Sequence, residues 1–207
     1  MLGKPWAVPP EWPGETAFIV AGGPSVRGQP LELLRGRRAI AVNTSWEAVP
    51  WAAFLFFGDS RWWREHRERT GIYAGRIVTV SRHAVGPGLL RLDKHRPPPA
   101  LRAERTAVAQ SRTSLAGAIG LAVHLGAARL VLLGADGGPA PDGRTHHHAP
   151  HPWPPRPDCW GPQLAELRAL APALAARRIA VRNASPGTRI DWWPVARLED
   201  CLGNDWT

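Results

Sequence analysis

Cysteine is nearly absent from this 207-residue chain: Cys159 and Cys201 are its only two. Two cysteines can build neither a disulfide framework nor a four-cysteine zinc site. No apolar run reaches the roughly 18–20 residues of a spanning helix, so no membrane segment is expected. The opening stretch MLGKPWAVPPEW holds one lysine and no apolar core. That is not the pattern of a secretory signal, and the expected compartment is the cytoplasm. Lysine is scarce as well: Lys4 and Lys94 are the only lysines among 26 basic side chains. Tyrosine occurs once, at Tyr73, against 11 tryptophans.

What is present suffices for a core. The apolar share of 44% and charged share of 21% exclude a wholly disordered chain. The length fits one domain, or at most two small ones. The net charge of +9 raises nucleic-acid binding as a function. The arginines, however, are scattered from Arg27 to Arg197. Their densest stretch, Arg61 to Arg69, also contains Glu65 and Glu68. Together with 22 prolines, the bias reads as that of a GC-rich coding sequence. Nucleic-acid binding through an arginine-rich surface stays as a second reading.

Regular elements alternate along the chain. Residues 1–15 hold four prolines and two tryptophans without periodicity and read as an extended N-terminal segment. Short apolar runs predict strands at Thr16–Gly22, Arg38–Ser45, Ala52–Asp59, Arg76–Ser81, Ala128–Asp136 and Arg178–Ser185. Helical stretches are expected at Pro30–Arg35, Ser60–Arg69, Thr113–Leu125 and Gln163–Arg177, the last kinked at Pro172, with a terminal turn at Arg197–Leu202. Residues 82–110, with Pro97-Pro98-Pro99, read as irregular. Residues 137–161 form a long loop rich in Gly, Pro, His and Trp; loops of that length inside a domain are usually functional or mobile. Strands apolar throughout, alternating with helices, predict a single α/β domain over 16–207. Its sheet should be mostly parallel, with helices on both faces.

Such sheets bind ligands at the carboxyl ends of their strands. The residues there are Gly22-Gly23-Pro24-Ser25, Asn43-Thr44-Ser45, Gly58-Asp59, Ser81-Arg82, Ala135-Asp136 and Asn183-Ala184-Ser185, nearly all small or polar. The Gly-Gly-Pro-Ser turn could hold a phosphate on backbone N–H groups and the Ser25 hydroxyl, or be a tight turn only. It is neither a Walker loop nor a GxGxxG fingerprint. Asn43 could read a base or ribose, and Asp59 could bind a metal or a sugar hydroxyl; both could instead cap the helices they precede. Ser111, Thr113 and Ser114 could contact phosphate or cap their helix. Asp136, after the strongest strand, is placed for a donor hydroxyl or for magnesium on a diphosphate.

The long loop carries THHHAPHPW, with half of the eight histidines within six residues, His146 to His151. Neutral imidazole is a general base near pH 7, and several imidazoles together can bind zinc. Pro150 and Pro152 argue against one helix face presenting His147 and His151, and no cysteine or carboxylate cluster adjoins them. The loop therefore reads as supplying a base, with His147, His148 and His151 as candidates, and no metal site is assigned. Most tryptophans should pack; one or two could stack on a ring. Cys159 has no basic partner nearby in sequence except Arg156, so no thiol nucleophile is proposed.

Taken as a set, AFIVAGGPSV, AVNTSW, FLFFGDSRWW, TSLAGAIGLAVHLGAARLVLLGADGG, HHHAPHPWP and SPGTRIDWWPVARLED resemble a phage- and prophage-associated family. That family is related to the domain shared by archaeal 6-hydroxymethylpterin diphosphokinases and motility accessory factors. More distantly, the set is similar to bacterial sialyltransferases with a Gly-Pro-Ser nucleotide loop. The resemblance implies a Rossmann-like nucleotide-binding fold. It places phosphate contacts at Gly22, Gly23, Pro24 and Ser25, a donor-site role at Asn43, the helix-start site at Thr113 and Ser114, and the Gly-x-Asp block at Asp136. It implies a histidine base from a mobile lid, without singling one out. The paired tyrosines of the sialyltransferases have no counterpart here. The expected function is a nucleotide-dependent transferase, a glycosyltransferase with a nucleotide-sugar donor. The alternatives are an ATP- and magnesium-dependent diphosphokinase-like enzyme, or a basic nucleic-acid-associated phage protein. Nucleic acid would serve in one version as the acceptor of the transfer.

Overall fold

The computed structural model describes residues 4–153, 158–203 and 206. Part of the expected 137–161 loop, residues 154–157, lies outside the described residues. In chain order the elements are β1 (Thr16–Val20), β2 (Arg38–Val42), β3 (Phe54–Phe57), α1 (Ser60–His66), β4 (Arg76–Thr79), β5 (Leu89–Arg91), β6 (Asp93–His95), β7 (Ala107–Ala109), α2 (Ser114–Leu125), β8 (Arg129–Leu133), α3 (Trp160–Ala176) and β9 (Ala180–Asn183). Seven strands form one sheet in the order β5-β4-β3-β2-β1-β8-β9. Every described pairing in it is parallel. The architecture is the Rossmann-like α/β fold expected. The short strands β6 and β7 pair with each other beside it.

The apolar runs explain the layering. In a strand, neighbouring side chains point to opposite faces. Ile19, Ile40, Phe54, Phe56, Leu130 and Leu132 pack with α2 and α3 on one face. Phe18, Leu55, Phe57, Val131 and Leu133 pack on the other with Trp62 and Trp63 of α1. Each such side chain contributes about 1.5–3 kcal/mol on burial, so a sheet covered on both faces needs strands without polar interruption. The N-terminal segment crosses the first face. Val8 and Trp12 are buried there, and the Trp12 ring lies edge-on to Phe54 at 5.4 Å.

The strands end sooner than their apolar runs. Residues that extend the strand pattern, such as Asn43-Thr44-Ser45 and Gly58-Asp59, leave the ladder at the carboxyl rim. Asn43–Glu47 is a 3-10 turn, as are the helical stretch at Leu31–Leu34 and the terminal turn at Glu199–Cys201. The segment read as irregular, 82–110, contains β5, β6 and β7, each of three residues. Helix α3 starts at Trp160 and runs through Pro172. Thr113 caps α2, its hydroxyl accepting from the Leu115 N–H at 3.2 Å, and Gly126 ends it in the left-handed region. Among the described residues no helix is long and apolar enough to cross a membrane.

Candidate functional site

The strand order reverses direction between β1 and β8. Loops leaving these neighbours diverge, and such switch points open a crevice at the carboxyl edge. A cavity of about 1140 Å³ lies here. It is lined by Gly22 and Gly23 after β1, Asn43 after β2, Asp59 after β3, Ser81 and Arg82 after β4, Asp136 after β8, the start of α2, and the histidine loop.

The two sides of the switch point are tied together. The Ser25 N–H and hydroxyl donate to the two carboxylate oxygens of Asp136 at 3.2 and 3.0 Å. Gly23 is compact because of this link: a Cβ there would sit 1.8 Å from Asp136 Oδ2. Burial raises the Asp136 carboxyl above its ordinary value, against the two Ser25 hydrogen bonds. Ser25 itself faces a second cavity of about 570 Å³, shared with Arg27, Gln29 and residues 195–200. Pro24 is buried and opens a short 3-10 turn. Of the Gly-Gly-Pro-Ser turn, then, Gly22 and Gly23 border the large cavity, while Ser25 is held by Asp136.

Asn43 and Asp59 resolve their alternatives differently. Asn43 adopts φ 51°, a left-handed conformation that Asn tolerates better than most residues. Its Oδ1 is buried without a hydrogen-bond partner among the described residues, so the side chain caps nothing. Asp59 does cap: it accepts from the Arg61 N–H at 2.8 Å and pairs with its guanidinium at 2.9 Å. Burial alone would raise the Asp59 carboxyl, but the Arg61 hydrogen bonds outweigh it and hold it below its ordinary value.

The start of α2 narrows one expectation. Ser111, Thr113 and Ser114 were candidates for phosphate contact, and a carboxylate of the chain already sits on the backbone N–H groups just ahead of the helix. Glu166 of α3 accepts from the N–H groups of Ser111, Arg112 (2.6 Å) and Thr113 (2.9 Å). The positive end of a helix favours a nearby anion, and the buried Glu166 sits there on the N–H groups of the cap and the two residues before it. Ser111, Thr113 and Ser114 still line the cavity.

The histidine loop folds down over the Gly-Gly turn without forming a helix. Its backbone is anchored where the His147 N–H donates to the Gly22 carbonyl at 3.1 Å and Arg27 donates to the His147 carbonyl at 2.9 Å. The His147 ring turns away from the cavity. Ser45 Oγ donates its one proton to the Ala21 carbonyl at 2.9 Å, so His147 Nε2–H donates to Ser45 Oγ at 3.0 Å. His146, His148 and His151 face the cavity instead. Burial first, and then the charges of neighbouring imidazoles, push His146, His147 and His151 down to about 4. Burial also lowers His148. All four are neutral near pH 7. Behind them lies His66, buried against Trp62, with neither ring nitrogen partnered among the described residues.

Lys94, Arg96, Gln110 and Arg112 were not singled out from the sequence, and His146 was seen only as part of the cluster. Arg82, Lys94, Arg96 and Arg112 line the cavity, are exposed, and form no ion pair among the described residues. Gln110 and Trp160 also contribute to its wall. Lys94, Arg96 and Gln110 are brought in by β6 and β7, the strands too short to recognise. Trp62 and Trp63 are buried packing residues, and Trp153 stacks on His151. Cys159 lines the cavity, but burial raises its thiol above the ordinary value, which suits no nucleophile.

The donor set fits magnesium poorly. Magnesium takes oxygen ligands; of the three cavity carboxylates, Asp136 and Asp59 are already engaged with Ser25 and Arg61, which leaves Asp158 alone. Among the described residues the one group of three ligating side chains is all imidazole.

No family model and no curated protein sequence matches the chain. By structure it is similar to the sialyltransferase CstII from Campylobacter jejuni, solved in complex with a substrate analogue, cytidine-5'-monophosphate. The two share 13% identity at a TM-score of 0.54, over 89% of this chain and 86% of that one. What this likeness establishes is a shared fold.

Proposed function

We propose that the chain is a nucleotide-dependent transferase, a glycosyltransferase that takes a nucleotide-sugar donor. One observation carries the reading: a Gly-Gly turn, an Asn with an unpartnered buried carbonyl oxygen and a set of neutral imidazoles converge on one cavity at the sheet's switch point. The cavity exceeds the roughly 300–1,000 Å³ of an ordinary small-molecule pocket, which leaves room for donor and acceptor together.

In this reading Asn43 Oδ1 accepts from the base or ribose of the donor. Trp160 offers a face for stacking. The exposed cations Arg82, Lys94, Arg96 and Arg112 attract the phosphate. In the transfer, the bond from the sugar to the phosphate breaks and its electron pair leaves with the phosphate. The acceptor oxygen bonds the sugar carbon and loses its proton to a base on the histidine loop. His146, His148 and His151 are the imidazoles placed for that role, which is typically worth about 10²–10⁴-fold. The diphosphokinase alternative depends on magnesium, for which the cavity offers one unengaged carboxylate, Asp158, beside the engaged Asp136 and Asp59. The cytidine-5'-monophosphate complex of the structural neighbour makes that nucleotide the first probe.

Calorimetric titration with CMP, CDP, UDP, ADP and ATP should give one binder, and Asn43→Ala should weaken it about tenfold or more, the equivalent of about 1.4 kcal/mol. No binding by any of the five, or affinity unchanged in Asn43→Ala, would overturn the site.

A further inference from the structure

We propose that His146, His148 and His151 form a three-imidazole site for a divalent cation of the zinc class, with a fourth position open to the large cavity. One imidazole nitrogen from each of the three lies within 4.8 Å of those of the other two. Tetrahedral zinc with bonds of about 2.0–2.1 Å sets its ligand nitrogens about 3.3 Å apart, a contraction that small side-chain rotations provide.

The hydrogen bonds around the trio leave the ligating nitrogens free. His148 Nδ1–H donates to the Ala149 carbonyl at 2.7 Å, so its lone pair sits on Nε2. His146 Nδ1 lies 2.9 Å from Thr145 Oγ1, and with Nδ1–H donating to that hydroxyl its lone pair too sits on Nε2. Metal-binding histidines typically fix the ring in this way, through a partner on the other nitrogen. His151 makes no hydrogen bond among the described residues and is held by stacking on Trp153, 5.3 Å away and 2° from parallel. His66, buried with both nitrogens unpartnered, backs His151 at 5.9 Å. A set of imidazoles without thiolate or carboxylate selects borderline cations over magnesium or calcium. Three protein ligands with one open position is the pattern of a zinc site that acts on a ligand rather than one that only staples the fold.

The trio adjoins the Gly-Gly turn: His148 Nε2 would lie 3.7 Å from a Cβ on Gly22. The open position therefore meets whatever occupies the cavity. The proposal rests on the transferase reading only for the identity of that occupant. With a cation bound, the base of the transfer would be the hydroxide formed from water on that cation, whose pKa zinc lowers to about 7; taking the acceptor's proton returns it to water.

The test is calorimetry on full-length protein stripped with EDTA and dialysed, titrated with zinc alone and with magnesium alone. One equivalent of zinc and no magnesium binding are expected. His146→Ala, His148→Ala and His151→Ala should each lower zinc affinity about a hundredfold. His95→Ala, on exposed β6, should leave it unchanged. His148→Cys, which restores a ligand, should recover most of the affinity and separates coordination from misfolding. Substoichiometric zinc, or affinity unaffected by the three alanine variants, or no recovery in His148→Cys, would overturn the proposal. Nucleotide titration of the stripped protein is a separate readout, so loss of the transferase reading would leave the cation site standing and the reverse holds too.

Discussion

Single residues at the switch point bear more on function than their size implies. Gly23 is the clearest case. A methyl group there would collide with Asp136 Oδ2 and come within 2.4 Å of the Gly134 carbonyl oxygen. Neither neighbour can yield cheaply, since one is backbone and the other is pinned by Ser25. Gly23→Ala should thus break the Ser25–Asp136 link, cost about 1–3 kcal/mol of stability in urea denaturation, and abolish nucleotide binding. A variant of wild-type stability that still binds would show that the loop is freer than this packing implies. Asn43 makes the complementary point. A buried acceptor left unpaired costs about 1–3 kcal/mol, so its persistence beside a cavity argues for a donor arriving with the ligand.

At the scale of elements, α2 and α3 are joined by the Glu166 carboxylate on three N–H groups. Hydrogen bonds to a charged group are worth about 1.5–3 kcal/mol. Glu166→Gln keeps one acceptor but turns an NH₂ toward N–H donors, and it should cost about 2–3 kcal/mol in urea denaturation. A loss under about 0.5 kcal/mol would mean that these N–H groups find water instead. This contact also shows where sequence reading stops. Thr113 and Gly126 announce the ends of α2 locally, but nothing near Glu166 in sequence reveals that it lies on a helix start 53 residues away. The long strands were legible because burial on both faces demands unbroken apolar runs. Strands β5, β6 and β7, three residues each, are shorter than any period can register, and with them went Lys94, Arg96 and Gln110. The histidine cluster was visible as composition. Its geometry was not, because an irregular loop obeys no fixed periodicity, and Pro150 and Pro152 exclude a helix without excluding convergence.

At the scale of the whole molecule, the basic side chains behind the +9 net charge fall into distinct settings. Eight arginines pair with carboxylates around the surface among the described residues. Others lie over aromatic rings, as Arg168 does over Trp192 and Arg182 over Trp206, where guanidinium and indole attract each other. Much of the arginine and tryptophan excess is therefore one local packing habit, spread over the surface rather than gathered in a stripe. The exception is the set Arg82, Lys94, Arg96 and Arg112 at the cavity. If these four held a nucleic-acid acceptor, removing them would reduce the salt slope of single-strand binding by about three, at about 0.7 per phosphate contact. A dispersed surface predicts otherwise. The quadruple alanine variant should keep its slope within about one unit, while its affinity for the mononucleotide falls about tenfold or more. Fluorescence anisotropy with a labelled oligonucleotide between 50 and 200 mM salt, beside nucleotide calorimetry, reads both quantities. A slope that shrinks by three would place nucleic acid in the cavity as acceptor; an unchanged slope with weakened nucleotide binding confines the four cations to the donor phosphate.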